Sequence, residues 1–341
     1  MEGLEMEWQN YLPLLQNKTV VSVYFGGGTP YLLGPQAIGK ILAWIHNSVS
    51  VASEVEITLE ANPENITLDT MRSYKEIGIN RVSIGLQTLD NSLLQSLGRL
   101  HTGNKGIDSI YIAQSAGIEN ISIDLMYDLP KQTLDIWEQT VDQIRKLPIT
   151  HLSLYNLTIE PHTVFFKYRE TLQPTLPDEQ TSLAMYEKAI HALSENGLMQ
   201  YEISAFAKKD QYSRHNTGYW TGRPFLGYGP SAFSYWNGKR FRNVANLSKY
   251  VQSLRDGKSP IDFEEQLDND AHKRELLVIG IRMVAGIDLD VFQDEHGKLD
   301  HEILMGMDKL IQTGFLHREG RNLSLTKKGV LFYDTVAAEL I

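Results

Sequence analysis

Polar groups recur where short apolar runs end. Gly26, Gly27, Gly28 and Thr29 follow VVSVYF (20–25), Glu60 closes VEITLE (55–60), Gln87 closes RVSIGLQ (81–87), and Asp124 interrupts NISIDLMY (120–127). Three consecutive glycines let backbone approach a ligand closely and take positive φ, while Thr29 adds a hydroxyl and Pro30 fixes the exit. YFGGGTP has neither the G-x-G-x-x-G spacing of a dinucleotide fold nor the lysine of a P-loop. Glu60 has the chemistry to accept hydrogen bonds from vicinal ribose hydroxyls, as acids at strand ends do in nucleotide sites. Gln87, Arg99 and Asp124 would complete a polar ring around a zwitterionic ligand, with Arg99 as the fork for a carboxylate. Singly, each is as well read as a helix cap or a turn residue. Recurrence over four successive runs points to a site. A hydrolase built on the carboxylates of Glu60 and Asp124 is the competing chemistry, and spacing alone does not decide between them.

These groups need a frame that brings strand ends together. Two further runs, HLSLYNLTI (151–159) and QYEISAF (200–206), extend the series to six, and several runs read as apolar on both faces, the pattern of buried parallel strands. Helical stretches lie between them: PQAIGKILAWIHNS, TLDTMRSYKEIG, DNSLLQSLG, NKGIDSIYIAQSAG, TLDIWEQTVDQIRKL and PDEQTSLAMYEKAIHALSENG. Asp178 is placed to cap the last of these and Gly197 to stop it. The fold expected is α/β, a partial parallel (β/α) barrel over residues 1–206, whose strand carboxyl ends share one mouth. Residues 207–265 are aromatic- and glycine-rich and predict an ordered loop region without a long helix. Residues 266–341 predict helices flanking a hairpin that turns near Glu319, Gly320 and Arg321, a winged-helix-like module.

Composition narrows the field. The net charge of −10 and the scattered Lys and Arg exclude a general nucleic-acid binder, so that module reads as a structural cap. No apolar run is long enough to span a bilayer, and the acids in MEGLEMEWQNYLPLL oppose a signal peptide, which makes a cytoplasmic location the expectation. The partner expected is a small molecule.

VYFGGGTPYLL, VEITLEANPE, RVSIGLQTLDNSLLQSLGRLH, ISIDLMYDLPKQT, LSLYNLTIEP and YEISAFA…SRHNTGYW, in that order, resemble the oxygen-independent coproporphyrinogen III oxidase-like radical SAM family. The resemblance covers nearly the whole chain. It implies that Gly27, Gly28, Thr29, Glu60, Gln87, Arg99 and Asp124 contact S-adenosylmethionine. His215, Asn216, Tyr219 and Trp220 resemble the haem-binding motif of the HemW-type haem chaperone branch. His215 would then be a candidate ligand to haem iron, with aromatic rings against the macrocycle. A purely structural histidine in an aromatic loop is the alternative from the residues alone. The implied function is haem binding and transfer to an acceptor protein. The other branch implies oxidative decarboxylation of porphyrinogen propionates. Departures from the family pattern are Asp128 and Lys131 in place of glycines, and Phe233 in place of a histidine.

The family's chemistry depends on C-x-x-x-C-x-x-C for a [4Fe–4S] cluster, and the sequence contains no cysteine. Fewer than twenty residues precede VVSVYF. The expectation is that the first β/α unit is missing, through truncation in preference to natural loss, and that the exposed edge of VVSVYF needs a covering partner.

Overall fold

Alternation governs the main sheet. In VEITLE, Ile57 and Leu59 fall on one face and Glu56, Thr58 and Glu60 on the other, and the neighbouring strands keep this pattern in register. The structure, a computed structural model describing residues 1–161 and 163–341, pairs Leu59 with Val82 and Val82 with Ile121, and, in the adjoining row, Glu60 with Ser83, Ser83 with Ser122 and Ser122 with His151. The runs expected to be apolar on both faces therefore carry one apolar face and one polar face. The apolar face is covered by helices. Helix Gly103–Ser115 lies so close to β-strand residue Leu86 that a Cβ on Gly106 would collide with it.

Seven strands make up this sheet: β1 (Thr19–Phe25), β2 (Ser50–Ala61), β3 (Arg81–Gln87), β4 (Asn120–Tyr127), β5 (His151–Asn156), β6 (Met199–Glu202) and β7 (Ala205–Ala207). Their order is β1-β2-β3-β4-β5-β7-β6, a curled, open half-barrel with β1 and β6 at its edges. Strands β2 to β5 are parallel, as expected. The sixth run, QYEISAF, is not one strand. It breaks into β6 and β7, with β7 antiparallel to both β5 and β6. The break at Ser204 leaves its carbonyl to accept from Leu154 N at 2.7 Å.

The connecting helices follow the sequence reading: Pro35–Ser48, Leu68–Glu76, Asn91–Ser96, Gly103–Ser115, Leu134–Ile144 and Glu179–Ser194. Thr67, Asp90, Thr102, Thr133 and Asp178 cap five of them through a side-chain oxygen that accepts from a backbone N–H three residues on. Gly197, at φ +74°, ends the last in the left-handed conformation.

The chain forms two compact units. Val21–Ala43 and Ser53–Ser213 hold nearly all of the half-barrel; Met1–Val20, Trp44–Ala52 and Arg214–Ile341 form the other. In this second unit the stretch expected as loop carries regular structure: helices Arg214–Trp220 and Leu247–Arg255, and an antiparallel sheet of β8 (Phe233–Trp236), β9 (Lys239–Asn243) and β10 (Ile261–Gln266). Helix Asn269–Gly280 then leads to β11 (Ile287–Asp288), helices Leu289–His296 and His301–Gln312, the hairpin β12 (Leu316–Glu319) and β13 (Asn322–Leu325), and the short helices Lys327–Leu331 and Tyr333–Leu340. The hairpin turns at Gly320, between helices, as expected. Leu277, Ile281, Ile303, Leu323, Val336 and Leu340 form its core.

Helix Glu2–Tyr11 joins this unit through a buried acid. Glu7 accepts from Gly229 N at 2.8 Å and Tyr250 Oη at 2.5 Å on one oxygen, and from Asn243 Nδ2 at 2.5 Å on the other. Burial pushes its carboxyl up, against the pull of these donors. No helix among the described residues is long and apolar enough to cross a membrane.

Candidate functional site

The strand ends of the half-barrel bring most of the predicted groups together. Glu60, last but one in β2, receives Tyr24 Oη at 2.7 Å on one oxygen and Gly27 N at 3.1 Å on the other. Gly27 supplies that N–H from φ +112°, where a side chain would be strained, and a Cβ on Gly27 or Gly28 would meet nothing within 4 Å. The glycine loop thus faces open space with its backbone bare. A carboxylate has about four acceptor positions. Tyr24 and Gly27 use two, which leaves Glu60 able to take a pair of neighbouring hydroxyls.

Asn62 links the remaining loops, and sequence reasoning did not single it out. Its Nδ2 donates to Thr29 Oγ1 at 3.2 Å, and its Oδ1 accepts from Arg99 Nη1 at 3.3 Å. Gln87 comes to the same place. It sits at φ +67°, where β3 breaks register with β4, and a Cβ on Gly85 would lie 3.3 Å from Gln87 Nε2 and 3.4 Å from Asn62 Oδ1. Glycine at 85 makes room for both amides. Asn62 therefore bridges Thr29 and Arg99, and the Gln87 amide lies near it across the ends of β1, β2 and β3.

Asp124, two residues beyond Ser122 on the polar face of β4, lies 3.5 Å from Ser83 Oγ. Burial pushes its carboxyl up to about 6; a Ser153 hydrogen bond lowers it, the charge of Glu60 raises it, and Arg81 and Ser83 lower it. Burial likewise pushes the Tyr24 phenol far up, with Glu60 beside it adding to the effect. Below Asp124 the face is closed by buried polar groups. Arg81 faces Glu56 at 3.9 Å, and His151 bonds Ser122 at 2.8 Å and Tyr201 at 2.9 Å. Burial and Arg81 hold the His151 imidazole well below its usual range, so it is neutral. Tyr24 and Asn62 lie at strand ends but their residue types alone do not mark a site, whereas Ser83 and Ser153 lie within strands, where the polar member of each alternating pair was the available signal.

The loop after β4 keeps unusual backbone. Asp128 and Lys131 have φ +60° and +66°, the conformation that glycine adopts most readily. Asp128 is tied down by Asn156 Nδ2 and by Ser182 Oγ, the latter at 2.6 Å. Lys131 holds on through its backbone N–H to Thr175 O at 2.6 Å.

The second predicted group belongs to the other unit. His215, Asn216, Tyr219 and Trp220 lie on helix Arg214–Trp220, not on a loop. The i, i+4 spacing sets His215 over Tyr219: Nε2 and Oη are hydrogen-bonded at 2.7 Å, and the rings meet edge to face with centroids 4.9 Å apart. Tyr219 meets Phe225 in the same way at 4.6 Å. The indole of Trp220 carries the Arg282 guanidinium at 4.2 Å.

Residues 7–144 match the model of the Radical SAM superfamily and residues 267–332 that of the HemN C-terminal domain. The heme chaperone HemW of Bacillus subtilis is 31% identical over 338 residues, which cover 98% of this chain and 89% of that protein. The heme chaperone HemW of Lactococcus lactis is 32% identical over 331 residues, covering 96% and 86%. Among solved structures, coproporphyrinogen III oxidase (HemN) from Escherichia coli, a Radical SAM enzyme, superposes with a TM-score of 0.86 at 22% identity over 99% of this chain and 81% of its own, a likeness of fold. A match of this length and identity, on a half-barrel of this build, places the chain in the HemW family of the radical SAM superfamily.

Proposed function

We propose that this protein binds haem as cargo at the helix Arg214–Trp220 and passes it to an acceptor protein. The observation that carries the reading is the His215–Tyr219 pair, an imidazole held by a phenol on one helical face with an aromatic cluster beside it. The names of the relatives point the same way. An imidazole nitrogen is a common ligand to haem iron, and flat rings suit the macrocycle. In this reading His215 ligates the iron, Tyr219 fixes the ring, and Asn216 and Trp220 border the porphyrin.

The half-barrel mouth is proposed to take S-adenosylmethionine. Gly27 and Gly28 offer bare backbone, Glu60 its two remaining acceptor positions to the ribose hydroxyls, and Arg99 a fork to the carboxylate, with Thr29, Gln87 and Asp124 around them. Such a ligand supplies an adenosyl group poised at the mouth; the residues present bind and orient it. A [4Fe–4S] cluster, which the superfamily implies, does not fit the residues of this chain. The sequence has no cysteine, and among the described residues no group of three or more His, Asp or Glu gathers to hold a metal.

Absorbance titration of haem into the full chain tests the proposal. Wild type is expected to develop a ligated haem band that His215→Ala abolishes and Tyr219→Phe shifts. Identical spectra for wild type and His215→Ala would refute it.

A further inference from the structure

Helix Arg214–Trp220 has seven residues, too few to persist by its own hydrogen bonds. Its neighbours must hold it. On one side Gly218 leaves no space for a Cβ beside the Arg223 guanidinium, which bonds the Arg214 carbonyl, while Arg223 N donates to Gly218 O at 2.8 Å. After the helix, Gly222 turns at φ +65° against Leu276, whose Cδ2 would lie 2.5 Å from an added Cβ. Both residues at its carboxyl end then reach the C-terminal module. Tyr219 packs on Phe225, Phe225 pairs through its backbone with Tyr235, and Tyr235 Oη bonds His272 at 2.5 Å. Trp220 lies under Arg282, and Arg282 lies 4.9 Å from the ring of Tyr333, whose hydroxyl donates to Val278 O at 2.9 Å. His272 lies in the first turn of helix Asn269–Gly280 and Arg282 just past its last residue.

A planar, weakly hydrated guanidinium is suited to such a place, since it can stack between an indole and a phenol. We infer that Arg282 is a positioning residue for the His215 helix: its stack on Trp220 fixes the direction in which His215 and Tyr219 present themselves to haem. This rests on the haem reading given above. The C-terminal module thereby takes part in haem binding without touching the iron.

The test uses the full chain with Arg282→Met, which keeps the stem over the indole and removes the charge, and Arg282→Lys, which restores a cation. Amide hydrogen exchange over residues 214–222 is read without haem, and haem affinity and band position by absorbance titration. Arg282→Met is expected to speed exchange there and to weaken haem binding by roughly tenfold each, within the range of a desolvated cation–π contact, with a shifted band. Arg282→Lys, a point charge that cannot stack as a plane, is expected to recover only part of both. Wild-type exchange in Arg282→Met overturns the inference whatever haem does. Faster exchange with unchanged haem affinity and band also overturns it, because the helix would then be held without being positioned. If wild type shows no His215-dependent band, the haem reading fails and the positioning role fails with it, even where exchange still reports the clamp. Should Arg282→Met not fold, Arg282→Lys decides: faster exchange over residues 214–222 together with weaker haem binding and a shifted band supports the stacked guanidinium as the positioning group, and wild-type exchange with a wild-type band overturns it.

Discussion

Replacing Asp124 with asparagine should make the protein more stable at neutral pH and somewhat less stable in acid. The reason lies in where the carboxyl sits. Burial is the main cause of its rise from the ordinary 3.8 to about 6, and the Glu60 charge adds to it. A raised value means that the folded state holds the proton more tightly than the unfolded state does. The stability from that proton is complete below about pH 4 and is lost as pH rises through 6. The difference between 3.8 and about 6 corresponds to about 3 kcal/mol at neutral pH. Asparagine removes the charge but can turn only one acceptor toward Ser83 and Ser153, so about 1 kcal/mol returns as a loss. The net expectation is a gain of about 2 kcal/mol at pH 7.5 and a loss of about 1 kcal/mol at pH 4. Urea unfolding followed by far-ultraviolet circular dichroism, run on both proteins at each pH, measures this. Groups that do not interact with Asp124 cancel in the variant-minus-wild-type difference, which therefore reports Asp124 together with the neighbours it is coupled to. A difference that is the same at both pH values, or that shrinks as pH rises, would show that the carboxylate is not strained as argued.

Further outcomes follow from single residues. Glu7→Ala removes one acceptor from three donors in a buried place, and should cost about 3 kcal/mol or more, read as a lower thermal midpoint, with Glu7→Gln costing clearly less. Lys131→Gly relieves a left-handed backbone whose side chain is exposed, and should raise stability by about 0.5–1 kcal/mol after the entropy of glycine is set against the strain. Asp128→Gly relieves the same strain but loses the bonds from Asn156 and Ser182, so it should destabilise by about 1 kcal/mol; equal effects for the two glycines would contradict this account of the loop.

How much of this was legible follows from the range of each interaction. The parallel strands and their helices were read correctly because capping and apolar period are local: Asp178 takes the N–H of Thr181, and Gly197 turns left-handed, from neighbours alone. The polar mouth was legible in outline because strand ends must converge in this kind of sheet. Its detail was not. Asn62 matters through Thr29 and Arg99, 33 and 37 residues away, and nothing beside it in the sequence reveals that bridge. QYEISAF reads as one strand because its break at Ser204 is set by pairing with β5, not by a glycine or proline. In HNTGYW the i, i+4 spacing of His215 and Tyr219 was visible, yet so many aromatic and glycine neighbours made a loop the natural reading; packing on Leu276, Arg223 and Arg282 overrides that local preference.

The buried Glu7 also bears on how the chain is made. Its partners Gly229, Asn243 and Tyr250 lie 222, 236 and 243 residues further on. At a synthesis rate of about 5–20 residues per second, helix Glu2–Tyr11 waits roughly 10–50 seconds on the ribosome before its acid has anything to hold. During that interval the apolar side of the helix, with Trp8, has no docking place in its own unit beyond residues 44–52. Chaperone capture of nascent chains should accordingly concentrate before residue 250 is exposed and fall off sharply after it.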